Sequence, residues 1–294
     1  MPDCTRFIIL ANVRTGSTML ASYLNSHPYV VCFREVFSFT LPSINYGVDG
    51  YEGWDEDDLA FRKRDPIRFL HDRIYGGHGD QVEAAGFKFL YSHIYGFKDI
   101  AQHLVDDAEI RVVHLVRKNV IRASVSMKVA EATGLWVEEP RSWRRFTARL
   151  PRRLVRAARH PARTWQRRQE RAKNENLRSG TPAALNSNRD LPATTITLTE
   201  KQCRDELWMQ AIAVESQERR YSAHPTITVS YEELVESPEE TLARIQEFLG
   251  VEPRPLAPTT RQQNPQPLSK LIENYDEIRE AFRDTEYAWM FEEE

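Results

Sequence analysis

The sequence predicts an α/β fold in three layers, in which a mostly parallel central sheet is covered by helices on both faces. Short apolar runs typical of buried strands recur along the chain, and segments with helical periodicity separate them. Strands that alternate with helices are joined by crossover connections, which produce a parallel sheet between two helical layers. A chain of 294 residues suits one large or two small domains, and we expect a single domain over residues 1–294.

The apolar patterns predict the individual strands and helices, and proline and glycine residues indicate where they end. Strands are predicted at 7–10, 29–33, 85–91, 111–116 and 226–230. A first helix should begin after Gly16 and be stopped by Pro28, and further helices are predicted at 120–133, 200–221 and 237–249. For the last helix we expect Ser237 as N-cap, Glu240 completing a capping box, and Gly250 just past the end.

A short polar loop, Asn12 to Gly16, joins the first strand to its helix. A strand, a tight loop and a helix N-terminus make an anion site, because backbone N–H groups point at the ligand and the helix dipole favours negative charge. The loop therefore predicts phosphate binding, and an ordinary strand-to-helix turn is the alternative. The predicted phosphate-binding residues are Arg14, Thr15, Gly16, Ser17 and Thr18.

This loop departs from the nucleotide P-loop at one position. The pattern GxxxxGK[ST] laid over residues 11–18 keeps Gly16 and Thr18, but the lysine position holds Ser17. The nearest cation in the loop is Arg14. A loop that grips phosphate without the ATPase lysine points away from ATP hydrolysis, although we still expect the P-loop NTPase-like arrangement of sheet and helices.

A second cation follows the predicted strand 111–116. Arg117 stands where the comparable strand of a P-loop NTPase tends to end in a Mg²⁺-binding aspartate, and Ser126 lies on the next helix. Ligands dock at this edge of an α/β sheet, so the two residues could clamp a second phosphate. A surface ion pair for Arg117 and a polar helix face for Ser126 are the alternatives.

Several stretches resemble the sulfotransferases that use 3′-phosphoadenosine 5′-phosphosulfate (PAPS). They are RTGST after the first strand, LVRKN…VS after a later strand, and VSYEELVESPEETLARIQEFLGV near the C-terminus. The closer resemblance is to bacterial carbohydrate sulfotransferases of the trehalose 2-sulfotransferase and lipopolysaccharide-sulfotransferase kind, through VSMKVAEATGLW and QNPQPLSKLIENYDEIR. The similarity covers residues 6–35, 85–136 and 196–290.

The resemblance implies transfer of a sulfonate group from PAPS to a hydroxyl of a carbohydrate, glycolipid or similar small molecule. Adenosine 3′,5′-bisphosphate would be released, and no metal is expected. The loop 14–18 is similar to the one that binds the 5′-phosphosulfate, with Arg14 stabilising the leaving nucleotide. Arg117 and Ser126 resemble the pair that binds the 3′-phosphate, with Ser124 the less favoured serine. Tyr231 resembles a tyrosine that contacts adenine, and Arg261 stands where a nucleotide-covering loop is expected.

Sulfuryl transfer needs a base for the acceptor hydroxyl. Glu35 follows the second strand and resembles the proposed base of the bacterial carbohydrate enzymes; a solvated loop carboxylate is the alternative. His93 is the second candidate, because cytosolic sulfotransferases place a catalytic histidine after a comparable strand; a core or surface histidine is the alternative. Lys88 is an unusual charge among apolar neighbours and needs an anionic partner, for which the transferred sulfonate is one candidate.

An arginine-rich helical insert is predicted at about 137–195. Residues 141–173 hold twelve arginines and Lys173 against a single acid, Glu170. This segment could attract an anionic acceptor or an anionic membrane surface, and a solvated basic face is the alternative. It contains no recognisable nucleic-acid motif, so we expect no specific nucleic-acid partner.

The cysteine content and the apolar runs of the chain bear on its expected cellular location. Cys4, Cys32 and Cys203 are few and far apart, so neither a disulfide framework nor a zinc spacing exists, and a reducing compartment is expected. With no signal peptide and no apolar run of about 20 residues, we expect a cytoplasmic protein. A homodimer is possible by resemblance. The rival functions are a P-loop kinase or NTPase, and a non-catalytic polyanion-binding protein.

Overall fold

A computed structural model describes residues 4–38, 56–79, 81–133, 195–258 and 266–292. Within these ranges, five strands form one parallel sheet in the order β2-β3-β1-β4-β5. The strands are β1 (Thr5–Ala11), β2 (Val30–Phe33), β3 (Ala84–Leu90), β4 (Arg111–Val116) and β5 (Thr226–Ser230). Each lies close to its predicted position, which confirms the α/β class with a parallel central sheet.

The helices also follow the sequence closely where it has strong periodicity. The main ones are α1 (Ser17–Leu24), α2 (Glu56–Arg64), α3 (Pro66–Phe69), α4 (Lys98–Asp106), α5 (Val120–Thr133), α6 (Glu200–Arg220), α7 (Tyr231–Glu236), α8 (Pro238–Leu249), α9 (Leu268–Leu271) and α10 (Tyr275–Phe282). Short 3₁₀ helices cover Tyr91–Tyr95 and Ala288–Phe291, and a π-helical turn covers Leu70–Tyr75.

Alternation along the strands sends side chains to both faces of the sheet. In β1, Ile8 and Leu10 are buried on the face that packs against α4, whereas Phe7 and Ile9 are buried on the face that packs against α1 and α8. Each fully buried side chain of this size contributes roughly 1.5–3 kcal/mol of hydrophobic stabilisation. A further cluster joins α5, α6, α9 and α10. The sheet is therefore covered by helices on both faces, as the sequence predicts.

The sheet topology brings the polar loops together at one edge. The chain leaves β1 for β2 and β3 on one side and then crosses to β4 and β5 on the other. Ala11, at the end of β1, is level with Leu90 of β3 and Leu115 of β4. Ligands bind at such a reversal of strand order, outside the carboxyl ends of the strands. The segments that follow β1, β3 and β4 therefore line one crevice.

The predicted N-cap position of α8 is confirmed, but the capping box predicted there does not form. Helix α8 has its predicted bounds and ends at Gly250 in the left-handed conformation (φ 77°), but the side chain of Ser237 makes no capping hydrogen bond. Ser237 also ends α7, and its backbone (φ −133°, ψ 62°) lies away from the extended geometry that a capping serine adopts. The capping box instead forms one helix earlier, between Ser230 and Glu233.

Some expectations lie outside the described residues. They include almost all of the predicted insert at 137–195, its arginine-rich segment, and Arg261. In the described part of the chain, no helix is both long enough and apolar enough to cross a membrane. The single domain, the cytoplasmic location, the homodimer and the partners stay predictions.

A substitution at Gly86 tests how closely the central strands β1 and β3 pack. A Cβ atom at Gly86 would collide with the carbonyl oxygen of Phe7 in β1 and lie 2.6 Å from its ring, so Gly86→Ala should push β3 away from β1. We expect a loss of about 1–3 kcal/mol in the free energy of unfolding, measured by urea denaturation.

Gly79→Ala is the matched control, because a Cβ atom there meets nothing within 4 Å. It should leave the free energy of unfolding within about 0.5 kcal/mol of the parent value. Equal stability of the two variants would contradict the close approach of β1 and β3.

Candidate active site

The loop after β1 is closed by its own hydrogen bonds and opens directly into α1. The side-chain oxygen of Asn12 accepts from the N–H of Val13 at 2.8 Å, and the hydroxyl of Thr15 donates to the Asn12 carbonyl at 2.9 Å. Gly16 is the N-cap of α1, with φ 84°, and it offers no side-chain oxygen to the N–H groups of the first turn. An anion is favoured at that position by the helix dipole.

Arg14 has a left-handed backbone (φ 60°), which is costly for a residue with a side chain. Contacts on both sides of the residue hold it there. Its Nε and Nη2 atoms donate to Ser126 Oγ of α5 at 3.0 and 2.8 Å, and its carbonyl accepts from Arg117 Nη1 at 2.9 Å. The structure thus brings together Arg14, Arg117 and Ser126, which the sequence assigns to phosphate binding, and Ser126 is the serine that meets Arg14.

Tyr231 completes this side of the loop. The guanidinium of Arg117 lies over the Tyr231 ring, 4.2 Å from its centroid, in cation–π geometry. A Cβ atom at Gly16 would stand 2.5 Å from the same ring. The glycine is therefore required both by its positive φ and by the close approach of Tyr231. The predicted contact of Tyr231 with adenine stays a prediction.

Two guanidinium groups meet at the start of α1. Burial lowers the pKa of Arg14, and repulsion from Arg117 lowers it further. Arginine nevertheless stays protonated in proteins, so both groups remain cations. An added negative charge at this place would relieve the repulsion between the two cations. We call Arg14, Arg117 and Ser126, together with the N-terminus of α1, the anion cluster.

A second cluster lies on the other side of the same helix. Lys88 alternates along β3 with Phe87 and Phe89, so its side chain faces α1, where it is 4% exposed. Its Nζ atom lies 2.8 Å from Glu35 Oε1 and donates to Thr18 Oγ1 at 2.9 Å. The anionic partner that the sequence demanded for Lys88 is therefore Glu35.

His93 faces the same carboxylate. Its Nε2 atom lies 3.7 Å from Glu35 Oε2, slightly beyond hydrogen-bond distance, and the ring is buried. Its Nδ1 atom accepts from the N–H of Leu90 at 3.2 Å, which places the proton of the neutral ring on Nε2. The atom that faces Glu35 is then a donor. We call Glu35, Lys88, His93 and Thr18 the carboxylate cluster.

The charge of Lys88 decides the ionisation of Glu35. Burial by itself would raise the pKa of Glu35, but the charge of Lys88, with a smaller effect of His93, outweighs it and lowers the pKa from 4.5 to about 2. Glu35 is therefore ionised at neutral pH although its side chain is only 28% exposed.

The structure contains two further pairs of polar side chains that the sequence did not predict. Asn12 Nδ2 donates to Gln210 Oε1 of α6 at 2.6 Å, which ties that helix to the loop. Tyr91 Oη and His114 Nε2 are 2.6 Å apart, and burial lowers the pKa of His114 to about 4, so this histidine is neutral. The apolar run RVVHLV marked His114 as buried, whereas no local pattern marks Asn12 and Gln210 as partners.

No protein-family model and no curated protein matches the chain. Among solved structures it is similar to the crystal structure of a sulfotransferase from Alicyclobacillus acidocaldarius, with a TM-score of 0.44 and 16% sequence identity over 98% of this chain and 94% of that chain. A likeness this distant does not decide the function. Among the residues described, no group of three or more His, Cys, Asp or Glu is placed to hold a metal ion.

The Glu35–Lys88 pair predicts a pH dependence of stability. A carboxylate with a lowered folded-state pKa stabilises the fold above its unfolded value of 4.5, and this contribution is lost as the pH falls towards about 2. Glu35→Gln should lower the free energy of unfolding near neutral pH by about 1–3 kcal/mol, since it leaves Lys88 buried without its charge partner. The difference from the parent should shrink across that acidic range, measured by urea denaturation.

Two variants serve as controls. Glu109→Gln removes a carboxylate that pairs with Arg6 at 86% exposure, and it should change the stability by less than about 1 kcal/mol. Glu35→Gln with Lys88→Met removes both charges and should recover stability relative to Glu35→Gln alone. A double variant that is no more stable than Glu35→Gln would show that the ion pair does not govern the effect.

Proposed function

We propose that the protein is a sulfotransferase that moves a sulfonate group from PAPS to a hydroxyl of a carbohydrate, glycolipid or similar small molecule. The observation that carries this proposal is that one loop and helix separate the anion cluster from the carboxylate cluster. Arg14, which donates to Ser126, belongs to the anion cluster. Thr18, which accepts a hydrogen bond from Lys88, belongs to the carboxylate cluster. Transfer of an anionic group to a hydroxyl needs an anion site beside a base, and this arrangement supplies both.

The donor set of the anion cluster fits a ligand with two phosphate groups. Arginine presents a planar fork of N–H donors that matches phosphate oxygens, and here two such forks come from different strand ends. Arg14, Thr15, Gly16, Ser17 and Thr18 are assigned to the 5′-phosphosulfate. Arg117 and Ser126 are assigned to the 3′-phosphate, Tyr231 to the adenine side, and Arg261 to a covering loop.

Two residue identities favour this donor over ATP. The position of the ATPase lysine holds Ser17, and the residue that follows β4 is Arg117 rather than an aspartate that binds Mg²⁺. A cation at that strand end is suited to an anionic leaving nucleotide, whereas it would repel a metal ion. The kinase interpretation therefore has less support in these residues.

The donor supplies a sulfonate joined to a phosphate oxygen, so transfer breaks that S–O bond and forms a new one to the acceptor oxygen. In the proposed reaction Glu35 accepts the proton of the acceptor hydroxyl. Arg14 and the N–H groups at the start of α1 stabilise the negative charge left on the phosphate oxygen. His93 presents Nε2–H towards Glu35, so we assign it a positioning role and Glu35 the role of base.

Lys88 connects donor binding to the strength of this base. A carboxylate with a pKa of about 2 is a weak base while Lys88 holds it. Lys88 also contacts Thr18 at the start of α1, so a sulfonate bound there competes with Glu35 for the ammonium group. Sharing of Lys88 raises the pKa of Glu35 when the donor is present. This accounts for a buried lysine between a loop and a carboxylate.

Binding of adenosine 3′,5′-bisphosphate tests the donor site. By calorimetry in EDTA, the protein should bind the bisphosphate more tightly than ATP. Arg117→Ala should weaken bisphosphate binding by roughly 10- to 150-fold, because a hydrogen bond to a charged group contributes about 1.5–3 kcal/mol. Arg220→Ala removes an exposed arginine of α6 and should leave the affinity unchanged.

Two results would contradict the donor assignment. A preference for ATP that requires Mg²⁺ would favour the kinase or NTPase class. Bisphosphate binding without transfer of labelled sulfonate to any acceptor would favour a non-catalytic polyanion-binding protein. Thermal unfolding of Arg117→Ala separates loss of binding from loss of the fold.

Glu35→Gln tests the base. Transfer of labelled sulfonate from PAPS to a panel of saccharides should fall in kcat by about 10²–10⁴-fold, because general-base catalysis contributes that much. The affinity for the bisphosphate, measured by calorimetry, should change little, since Glu35 lies in the other cluster. A variant with normal kcat would reject Glu35 as the base, and a parallel His93→Gln variant would then show whether the histidine has that role.

A further inference from the structure

A cavity of about 770 Å³ lies next to the two segments that carry Glu35 and His93. Ser38 lines it, and the N–H of Ser38 bonds to the carbonyl of Glu35 at 3.2 Å. Gly96 lines it too, and its N–H bonds to the carbonyl of His93 at 3.1 Å. Residues that close a turn in this way have Cα atoms within about 7 Å of each other. The walls of the cavity therefore start one turn away from Glu35 and from His93.

The walls of this cavity are strongly basic. Its described lining residues include one carboxylate, that of Asp99, and four cations, which are Arg62, Lys63 and Arg64 of α2 and Lys98 of α4. A cleft lined by charges of one sign focuses the electric field and raises the local concentration of the opposite ion. Its volume falls within the range of small-molecule sites. The charge predicts an anionic occupant.

Arg62 fixes the basic wall to the segment that carries Glu35. It is 8% exposed, its Nη1 donates to the carbonyl of Val36 at 2.6 Å, and its guanidinium stands 5.4 Å from the centroid of the Phe97 ring. These contacts join α2 to both walls described above. Lys63, Arg64 and Lys98 are exposed, so their charges are accessible to a ligand.

Tyr95 adds a large ring to the same lining and is 78% exposed. A tyrosine combines an apolar face with a hydroxyl that makes hydrogen bonds. A sugar presents the same mixture, with C–H groups on its ring faces and hydroxyls around its edge. The cavity thus offers an aromatic face and several cations, and the backbone of the proposed base, Glu35, lies one turn away from its wall.

We propose that this cavity binds the acceptor and that the acceptor is an anionic saccharide. Its carboxylate, sulfate or phosphate group contacts Lys63, Arg64 and Lys98, and a sugar ring lies against Tyr95. The role of acceptor rests on the proposed sulfotransferase function. The binding of an anionic saccharide by the cavity does not, and it can be measured without any transfer.

Three matched pairs of sugars test the charge preference by calorimetry. They are the hyaluronan disaccharide against the neutral disaccharide with glucose in place of glucuronic acid, 6-sulfated N-acetylglucosamine against N-acetylglucosamine, and trehalose 6-phosphate against trehalose. At least one anionic member should bind about tenfold or more tightly than its neutral partner, equivalent to about 1.4 kcal/mol. If no anionic member does so, the proposal is overturned.

The cavity is tested with a triple variant, Lys63→Gln, Arg64→Gln and Lys98→Gln. It should lose most of the preference for the anionic sugar, with the affinity for the neutral partner changing little. The matched control is Lys201→Gln, Lys270→Gln and Arg279→Gln, which removes the same charge from exposed positions of α6, α9 and α10 that do not line the cavity. A preference that survives in the cavity variant, or falls equally in the control, overturns the proposal.

Bisphosphate binding separates this proposal from the proposed function. The cavity variant should bind adenosine 3′,5′-bisphosphate as the parent does, which also shows that it is folded. Transfer from PAPS combined with an unchanged charge preference would reject the cavity and keep the sulfotransferase. Loss of the preference in a protein that neither binds the bisphosphate nor transfers sulfonate would keep the anionic-saccharide site and reject the sulfotransferase.

Discussion

The buried ammonium group of Lys88 constrains everything around the candidate site, because an unpaired charge in the protein interior costs several kcal/mol. Lys88 lies on β3 with its side chain directed at α1, so its partners have to come from the loop after β2 and from the start of α1. Glu35 and Thr18 meet that requirement. The same pairing keeps Glu35 ionised and turns its second oxygen towards His93.

The parallel sheet explains how the cations Arg14 and Arg117 are kept apart from the ion pair of Lys88 and Glu35. Lys88 approaches α1 from β3, whereas Arg14 and Arg117 approach the same helix from the loop after β1 and from the end of β4. The loop and the first turn of α1 stand between them. An anion placed at that turn is attracted from both sides, and the carboxylate of Glu35 stays on the far side of the lysine. The proposed anion site and the proposed base are therefore separated by the loop and the first turn of α1.

The basic cavity is a further positively charged region, away from the loop after β1. The chain as a whole has a net charge of −3, yet its described cavity walls carry four cations. Exposed charges are screened within about 10 Å at moderate salt, so Lys63, Arg64 and Lys98 would act on the proposed saccharide only at close range. Arg62 is buried, and its guanidinium holds α2 against the backbone next to Glu35.

The sequence alone determined the elements and their order. Strands β4 and β5 and helix α5 have the bounds that periodicity predicts, because apolar alternation and helical spacing act over a few residues. It also marked six polar residues as candidates for function, which are Arg14, Arg117, Ser126, Glu35, Lys88 and His93.

The tertiary structure decided which of these residues contact each other. Only strand order places Glu35 on Lys88, Arg14 on Ser126, and Asn12 on Gln210 of a distant helix. It also placed a capping box at Ser230 and Glu233 and none at Ser237, and it brought three separate segments together around the cavity. Contacts between residues far apart in the chain leave no local pattern, since they depend on how the strands are ordered and on which face each side chain occupies.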